Sequence, residues 1–546
     1  MYSAYRSTAL FTRLTKLCSS NMSVDSFPAF RQASSNSEDY HVEKLCKIDE
    51  MKNGELRQFM VKEKPVVVVN DNGNFMAMGG QCPHFKAPLA LGTYANGKLR
   101  CPYHGACFDM KSGDIEDYPG LDCTKIKDGD VFLVAHKDQL TDVKRIKPMA
   151  PPQALVQRPP IVIVGGGPSA HVCAEVLRQE GYRGGILILS AERHLPYDRV
   201  RLTKLQNVTP AQLCYRDEQF YRKHHIDVRL NARVSELDTE NKHAILENGE
   251  KVEYSKLVLA VGGQPRQLRV PGSELNGVRY IRQLEDNATM DVKGKNVVVI
   301  GASFIGMESA ALWRKEAASV TVICNDSVPF QKTLGVYIGK AVMRVFEKND
   351  TKIETNAQVK ALAGCEGVVT HVVLNGKPTN RGRSAQRGYG RSRRLHPVDA
   401  DFRTNVADVH AIGDACAFPL PYFAGTCDPV NIQHYQMAQM HGRTVARVLA
   451  GRKGALHSTP FFWTLLFDHP VRFAGFSRDL SDFARLTGVT GKCRELGFRE
   501  NKVVAVASFG RENSQTIPFI ELFHKRLPVT RVQVQENEKD TWNHLF

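Results

Sequence analysis

The chain has 546 residues, which is too long for one hydrophobic core and predicts two to four domains. With 42% hydrophobic and 24% charged residues, its composition excludes a wholly disordered chain. The formal net charge is +16, and most of it comes from two stretches, residues 1–36 and 377–396. A nucleic-acid-binding protein usually spreads its basic residues over one folded face, so this distribution argues against nucleic acid as a partner. No run of eighteen apolar residues occurs, so no membrane span is predicted.

Residues 1–40 have the composition of a leader segment. The first 24 contain three basic residues and no acidic one, and Leu10, Leu14 and Leu17 fall on one helical face. This pattern predicts a mitochondrial transit peptide, with a disordered N-terminus of chance periodicity as the alternative. Thirteen cysteines, without the spacing of a disulfide framework, suit a reducing compartment better than secretion.

The rest of the chain divides by pattern. Short strands separated by Asn-Gly and Asp-Gly turns predict a mostly antiparallel β module over residues 41–142. Five prolines in residues 143–160 predict an extended linker. From Ile161 onward, the order strand, glycine-rich turn, helix, strand occurs twice, which is typical of α/β nucleotide-binding units. Residues 456–546 are predicted to form a separate α+β domain.

Two loops of the β module each offer one thiolate and one imidazole, Cys82-Pro-His84 and Cys101-Pro-Tyr-His104. Two cysteines and two histidines so arranged suit a [2Fe–2S] cluster with cysteines on one iron and histidines on the other. With its flanking Gly and Pro turns the pattern resembles the Rieske ferredoxin module, and it predicts these four residues as metal ligands. A tetrahedral zinc site is the alternative, because zinc accepts the same ligands. Cys107 has no matching cysteine in the first loop, so we expect a small buried residue there.

A glycine-rich turn follows the first α/β strand, with Gly165 for the turn, Gly167 for backbone approach to a pyrophosphate, and Ala170 for close helix–strand packing. Glu192, after the next strand, stands where a carboxylate could accept a hydrogen bond from an adenosine ribose. Together with the segments Leu195–Arg199, Thr203-Lys204 and Gly413-Asp414, this turn resembles the FAD-binding parts of the pyridine-nucleotide oxidoreductases of the ferredoxin-reductase and apoptosis-inducing-factor branch.

The resemblance implies an FAD-binding domain made of residues 161–292 and 405–455. It implies that Asp414, beside Gly413, bonds the ribityl chain of the flavin. It also implies that Arg199 and Lys204 lie beside the isoalloxazine ring.

A second glycine-rich turn, Gly301-Ala-Ser303-Phe304-Ile-Gly306-Met-Glu308, occurs where this family binds NAD(P)H, and predicts an NAD(P) domain over residues 293–404. Ser303 replaces the middle glycine and makes the pyrophosphate approach tighter. The resemblance implies that Phe304 lies against the flavin or nicotinamide and that Glu308 orients the nicotinamide. Lys204 and Glu308 are therefore the candidate catalytic residues. Cys324 stands where an acidic residue would read the ribose of NAD, so the choice between NADH and NADPH stays open.

The order of these parts is similar to that of the Rieske-containing apoptosis-inducing-factor-like proteins. The similarity runs from about residue 41 to 546 and implies an all-β Rieske module, an α/β fold with two Rossmann units for FAD and NAD(P), and an α+β C-terminal domain. It implies an FAD-dependent NAD(P)H oxidoreductase that passes electrons from flavin to the Rieske [2Fe–2S] cluster and on to an unknown acceptor, with a homodimer as one assembly it allows. The alternative is a redox-sensing protein of cell-death signalling in which FAD is mainly structural.

The family pattern breaks at residues 376–396. After the apolar stretch Val368–Leu374 the family needs a central strand, but residues 377–395 carry seven basic residues and no apolar run. One interpretation is a basic loop that touches acidic surfaces. The other, which we favour, is a reading-frame or splicing artefact that replaced the strand.

Overall fold

The computed structural model describes residues 40–84, 86–117, 126–127, 132–136, 146–152, 158–375, 395–424, 429–454, 456, 458–477, 483–487, 493–499, 501–510 and 516–536. The leader, and most of the basic segment, lie outside these ranges. The chain divides into two compact units, and the division falls between Lys147 and Pro148, inside the predicted linker. No helix in the described residues is both long and apolar enough to cross a membrane.

The first unit is built from antiparallel strands, as the turn pattern predicted. The strands are β1 Tyr40–Lys44, β2 Leu56–Val61, β3 Lys64–Asp71, β4 Asn74–Gly79, β5 Thr93–Ala95, β6 Lys98–Arg100, β7 Cys107–Asp109, β8 Ile115–Asp117, β9 Ile126–Lys127 and β10 Phe132–His136. They form two four-stranded sheets, in the orders β2-β3-β4-β9 and β5-β6-β7-β8, and the pair β1-β10. The two cysteine–histidine loops follow β4 and β6, so each loop begins where a strand ends.

The second unit begins with a five-stranded parallel sheet. Its elements are β11 Ile161–Val164, α1 Pro168–Gln179, β12 Ile186–Leu189, α2 Pro210–Leu213, α3 Glu218–Lys223, β13 Asp227–Arg229, β14 Val234–Asp238, β15 His243–Leu246, β16 Lys251–Glu253, β17 Lys256–Leu259 and α4 Leu284–Ala288. The sheet has the order β13-β12-β11-β17-β24, where β24 is Val409–Ala411, and β14–β16 form a separate meander. All four residues of β11 are buried, because strands pair with both of its edges and the element is apolar throughout.

A second, smaller parallel sheet follows. Its elements are β18 Asn296–Ile300, α5 Phe304–Trp313, β19 Ser319–Ile323, α6 Gln331–Lys348 and β20 Thr351–Glu354, followed by the hairpin β21 Val359–Cys365 and β22 Val368–Leu374. The sheet has the order β18-β19-β20. Within the described residues β18 pairs with β19 alone, and Val298 and Ile300 are each 43% exposed. Among the described residues the first strand of this unit is thus an edge, whereas β11, its counterpart in the first sheet, is central.

The chain then returns to the first sheet through β23 His396–Pro397, β24, β25 Cys416–Ala417, α7 Pro421–Ala424 and α8 Tyr435–Leu449. Helix α8 lies against α1 so closely that a Cβ at Gly442 would stand 2.4 Å from the backbone oxygen of Ser169. The C-terminal domain is the antiparallel sheet β26-β27-β30-β29-β28 with two helices. Its elements are β26 Phe461–Leu466, β27 His469–Gly475, β28 Phe483–Thr487, β29 Cys493–Arg499, β30 Lys502–Phe509, α9 Thr516–His524 and α10 Arg531–Glu536.

The predicted fold class is confirmed: an all-β module, two α/β units and an α+β C-terminal domain. One apolar core joins the second α/β unit to the C-terminal sheet, since Phe346 and Trp313 pack in the same cluster as Val471 and Phe473.

Candidate functional site

The two cysteine–histidine loops have the same backbone design. Cys82 donates its N–H to the carbonyl of Ala87 at 2.9 Å, and Cys101 donates to that of Ala106 at 2.8 Å. In each loop the residue four positions after the cysteine, Lys86 or Gly105, donates back to the cysteine carbonyl and has a positive φ. Each turn therefore wraps around its cysteine, and both cysteines are almost fully buried.

The two histidines meet at the tips of these loops. His84 Nδ1 and His104 Nδ1 are 3.1 Å apart, and the ring planes make an angle of 77°. Two imidazole nitrogens bound to one metal at about 2.0–2.1 Å in tetrahedral geometry would lie roughly 3.4 Å apart, so the histidine pair fits a shared iron. Among the described residues, no three His, Cys, Asp or Glu side chains converge as one ion would require. A ligand set divided between two irons needs no such convergence.

A buried arginine supports the second loop and was not predicted from the sequence. Arg100 donates through Nη1 to the carbonyl of Gly105 at 2.7 Å and pairs with Asp117 at 3.1 Å. Arg100 is the last residue of β6, directly before Cys101, and is 2% exposed. The sequence signal for its role was a charged residue on a strand next to a predicted metal ligand. Cys107 is buried on β7, as expected.

The first glycine-rich turn forms a cradle at the N-terminus of α1. Gly165 has φ +120°, and a Cβ there would stand 2.3 Å from the carbonyl oxygen of Ala260, so the turn lies tightly against the end of β17. Gly167 precedes α1, and a Cβ there would have no protein atom within 4 Å. Ala170, on the first turn of α1, is fully buried. The open space at Gly167, in front of a helix N-terminus, fits the pyrophosphate of FAD.

Further FAD candidates form a polar group around Tyr197. Glu192 accepts hydrogen bonds from Tyr197 at 2.8 Å and from Arg199, so both carboxylate oxygens already have partners. Arg199 also donates to the carbonyl of Arg282 at 2.9 Å. Burial raises the pKa of Asp414, against the lowering effect of Arg282 and then Arg199.

Arg282 was missed by sequence reasoning. Burial lowers its pKa, helped by Arg199, and a Cβ at Gly262 would stand 2.8 Å from its guanidinium. It precedes α4, whose Asp286 accepts from the backbone N–H of Arg282 at 2.7 Å. The available signal was a helix-capping carboxylate, Asp286, four residues after the arginine.

The second glycine-rich turn is also shaped for a nucleotide. Gly301 has φ +113° with open space around its Cβ position, and a Cβ at Gly306 would stand 2.0 Å from the oxygen of Gly301. Gly306 thus lets α5 approach its own turn, and Ser303 lies at the N-cap of α5. Cys324 is 3% exposed, and burial raises the pKa of its thiol to about 11. A buried protonated thiol offers the ribose no strong acceptor, and the part that position 324 plays in the choice between NADH and NADPH stays a prediction.

The two candidate catalytic residues meet although 104 positions separate them. Lys204 Nζ lies 2.7 Å from Glu308 Oε1, and Glu308 also accepts hydrogen bonds from Thr203 and Thr464. His434 is half-buried nearby, and its Nδ1, itself buried, has no hydrogen-bond partner in the part of the chain that the structure describes. Burial, and then Lys204, lower the pKa of His434 to about 3, so the ring is neutral. A buried neutral nitrogen beside an ammonium–carboxylate pair fits a site that binds a polar aromatic ring such as the flavin.

Phe304, which was predicted to lie against the flavin or nicotinamide, contacts two other aromatic rings. Its ring packs against Phe462 and Phe330, with centroids 4.5 and 4.8 Å away. The structure therefore places Phe304 in an aromatic cluster at the base of α5, close to Glu308 on the same helix.

Comparisons with known proteins agree with these features. Residues 41–135 match the Rieske [2Fe-2S] domain, and residues 159–442 match the pyridine nucleotide-disulphide oxidoreductase family. The chain belongs to the pyridine nucleotide-disulphide oxidoreductase family, as a member that carries an N-terminal Rieske domain, and is an oxidoreductase. The predicted FAD, NAD(P) and [2Fe–2S] cofactors are thereby confirmed, and the zinc alternative is excluded.

Individual proteins that are similar to this chain show which members of the family it resembles. The chain is 37% identical to apoptosis-inducing factor 3 of Homo sapiens over 495 residues, which cover 85% of this chain and 81% of the relative. It is 29% identical to a ferredoxin–NAD(P)(+) reductase of Sphingomonas sp over 63% of this chain and 88% of the relative. A ferredoxin reductase from Rhodopseudomonas palustris has the same fold, with a TM-score of 0.63 at 23% identity over 71% of this chain and all of that one. The resemblance to apoptosis-inducing-factor-like proteins is confirmed.

Proposed function

We propose that this chain oxidises NAD(P)H, passes the electrons through FAD to its own Rieske cluster, and delivers them to an acceptor outside the chain. The observation that carries the proposal is the convergence of Lys204 and Glu308, which come from the FAD and NAD(P) units, in a chain that also carries a cluster-binding domain. When bound, FAD takes up the hydride and supplies the electrons that the cluster accepts.

The residues of the chain have separate tasks in this proposal. The turn at Gly165–Gly167 and the N-terminus of α1 hold the pyrophosphate of FAD by backbone amides and helix dipole. The turn at Gly301–Gly306 holds the nicotinamide nucleotide in the same way. Glu308, paired with Lys204 at the junction between the units, orients the nicotinamide.

The names of the relatives support a protein as the acceptor of the flavin electrons. Similar proteins include ferredoxin–NAD(P)(+) reductases and a rubredoxin–NAD(+) reductase of Pseudomonas putida. In those names the acceptor is a separate redox protein, whereas this chain contains a Rieske domain of its own. We propose that the Rieske cluster of this chain takes the role of that separate redox protein. We also propose that the protein is located in the mitochondrion, because residues 1–40 have the composition of a transit peptide.

The test is an anaerobic titration of the full-length protein with NADH and, separately, NADPH, followed by flavin absorbance and by EPR of the cluster. We expect flavin bleaching and a Rieske signal that grows with added nucleotide. His104→Ala should abolish the Rieske signal and leave flavin reduction intact, while Cys107→Ala, beside the cluster loop but not a ligand, should keep both. Flavin that neither nucleotide reduces would refute the proposal. Slow reduction with an altered oligomeric state would favour the redox-sensing alternative.

A further inference from the structure

Three parts of the second unit meet at the carboxylate of Glu308. Glu308 lies on the second turn of α5 in the NAD(P) unit, and Lys204 ends a short 3₁₀ turn in the FAD unit. Thr464 lies on β26 of the C-terminal domain. Glu308 Oε1 contacts Lys204 and accepts from Thr464, and Oε2 accepts from Thr203.

We propose that Thr203 and Thr464 are positioning residues that hold the Glu308 carboxylate in one orientation, so that the C-terminal domain sets the geometry of hydride transfer. This inference rests on the proposed function. A hydroxyl has one hydrogen to donate, and Thr464 directs it to an ionisable oxygen, where a hydrogen bond is stronger than between neutral groups. The Thr203 hydroxyl contacts Glu308 and also lies 3.3 Å from the carbonyl of Val200, its weaker acceptor. We name the group formed by Thr203, Lys204, Glu308 and Thr464 the carboxylate clamp.

Lysine alone would not fix the carboxylate. Its ammonium is a point charge on a flexible stem, so it attracts Glu308 without selecting one rotamer. Thr464 is fully buried, and its strand pairs with β27 through Val471, so its hydroxyl is held rigidly by the sheet. Threonine is also stiff at χ1, because it is branched at Cβ.

The helix and the strand contact each other at two points. Phe304 and Glu308 are four residues apart and share one face of α5, and Phe462 and Thr464 are two residues apart and share one face of β26. Phe304 packs on Phe462 with centroids 4.5 Å apart, and Glu308 accepts from Thr464. An apolar contact and a polar contact in the same register fix both the distance and the rotation of α5 against β26. The C-terminal domain therefore controls where the nicotinamide-side carboxylate lies.

The experiment replaces the hydroxyl and keeps the shape of the side chain. In full-length protein loaded with FAD and cluster, Thr464→Val should lower the rate constant of flavin reduction by NAD(P)H about 10-fold, as expected for one charge-assisted hydrogen bond, and change the nucleotide Kd by less than about 2-fold. Thr464→Ser should restore most of the rate, because it returns the donor. Thr459→Val is the matched control, since Thr459 is also buried in this domain but donates to the carbonyl of Ile520.

A double-mutant cycle separates this role from a general structural one. If Thr464 acts through Glu308, Thr464→Val should have no further effect on the rate in a Glu308→Ala background, which has no side-chain acceptor for the hydroxyl. A wild-type rate in Thr464→Val, no rescue by serine, or additive losses with Glu308→Ala would each overturn the clamp and leave the proposed function standing. If neither nucleotide reduces the wild-type flavin, the proposed function fails, and the same cycle on thermal unfolding decides whether the two side chains are coupled. No coupling there would also overturn the clamp.

Discussion

Replacing Gly167 by alanine separates what the first glycine-rich turn does for the fold from what it does for the cofactor. Gly167 has φ −86° and ψ −177°, an extended conformation that alanine adopts freely. A Cβ at this position would meet no protein atom within 4 Å. The space it would occupy is the space in front of α1 where the FAD pyrophosphate is expected. The protein should tolerate the methyl group and the cofactor should not.

The magnitude follows from opposing effects. Alanine at a helix N-cap is poorer than glycine by about 0.5–1 kcal/mol, and it stabilises the folded state by about 0.4–1 kcal/mol by restricting the unfolded chain. The net change in the free energy of unfolding of the FAD-free protein should be close to zero. Overlap of the methyl group with the pyrophosphate should cost about 1–3 kcal/mol, which weakens FAD binding roughly 10- to 100-fold.

Gly165→Ala is the contrasting variant. Its Cβ would stand 2.3 Å from the carbonyl oxygen of Ala260, at a φ of +120° that alanine rarely adopts. We expect a loss of about 3 kcal/mol or more in folding stability with or without FAD. The assay is thermal unfolding by circular dichroism of FAD-free protein, combined with FAD release measured by fluorescence on dilution. Gly167→Ala protein that retains FAD as tightly as the wild type would refute the assignment of this turn to the pyrophosphate.

Two further predictions concern the FAD unit. Burial lowers the pKa of His410 from its usual 6.5 to about 4, so its neutral form contributes stability that is full above pH 6.5 and is lost as the pH falls toward 4. Over that range the free energy of unfolding of the wild type should fall by up to roughly 3 kcal/mol relative to that of His410→Leu, as measured by chemical denaturation at each pH. Plots of unfolding free energy against pH that run parallel for the two proteins would contradict this. Gly442→Ala should lower the melting temperature by forcing α8 about 1 Å away from the Ser169 carbonyl, at a cost of about 1–3 kcal/mol, and an unchanged melting curve would contradict the close helix crossing.

The features that sequence could predict are local. The two cysteine–histidine loops and the two glycine turns depend on residues within a few positions of each other, and the structure gives both loops the same backbone hydrogen bonds. Arg100 and Arg282 were missed because their roles depend on partners that are distant in sequence or on backbone atoms that no motif reveals. Arg100 on β6 contacts Asp117 on β8, across β7, and Arg282 lies beside Gly262, three residues beyond the end of β17.

Positions 324 and 325, at the end of β19, are two neighbouring candidates for the residue that reads the ribose. The family pattern placed Cys324 at the first of these positions, where its backbone hydrogen-bonds with Glu354 of β20 and with Ala357, and its thiol is buried. The next residue, Asn325, is exposed and carries the polar side chain at that end of β19. Side-chain alternation decides which of two adjacent residues faces a ligand, and a shift of one position reverses the outcome.

The effect of the basic segment at residues 376–396 can be tested at β18, because both α/β units have the same order of strand, glycine-rich turn, helix and strand. In the first unit the chain runs from β13 through the meander β14–β16 to β17, which pairs in parallel with β11. In the second unit the chain runs from β20 through the hairpin β21–β22 to the basic stretch that we predict not to form a strand. The described residues leave β18 as an edge with Val298 and Ile300 each 43% exposed. If residues 376–394 form no strand, β18 keeps an open edge and has no equivalent of the pairing between β11 and β17.

Amide hydrogen exchange compares the two strands directly. If the chain is translated as written, the amides of β18 that point away from β19 should exchange many times faster than those of β11, whose strand is paired on both edges. Replacing residues 376–394 by a segment with an apolar strand of about five or six residues should slow exchange in β18 and leave β11 unchanged. Sequencing the transcript across codons 370–400 should reveal such a strand if the basic stretch is an artefact. Confirmed arginine codons, together with β18 amides protected as well as those of β11, would show that this unit closes without a fourth strand and that our interpretation is wrong.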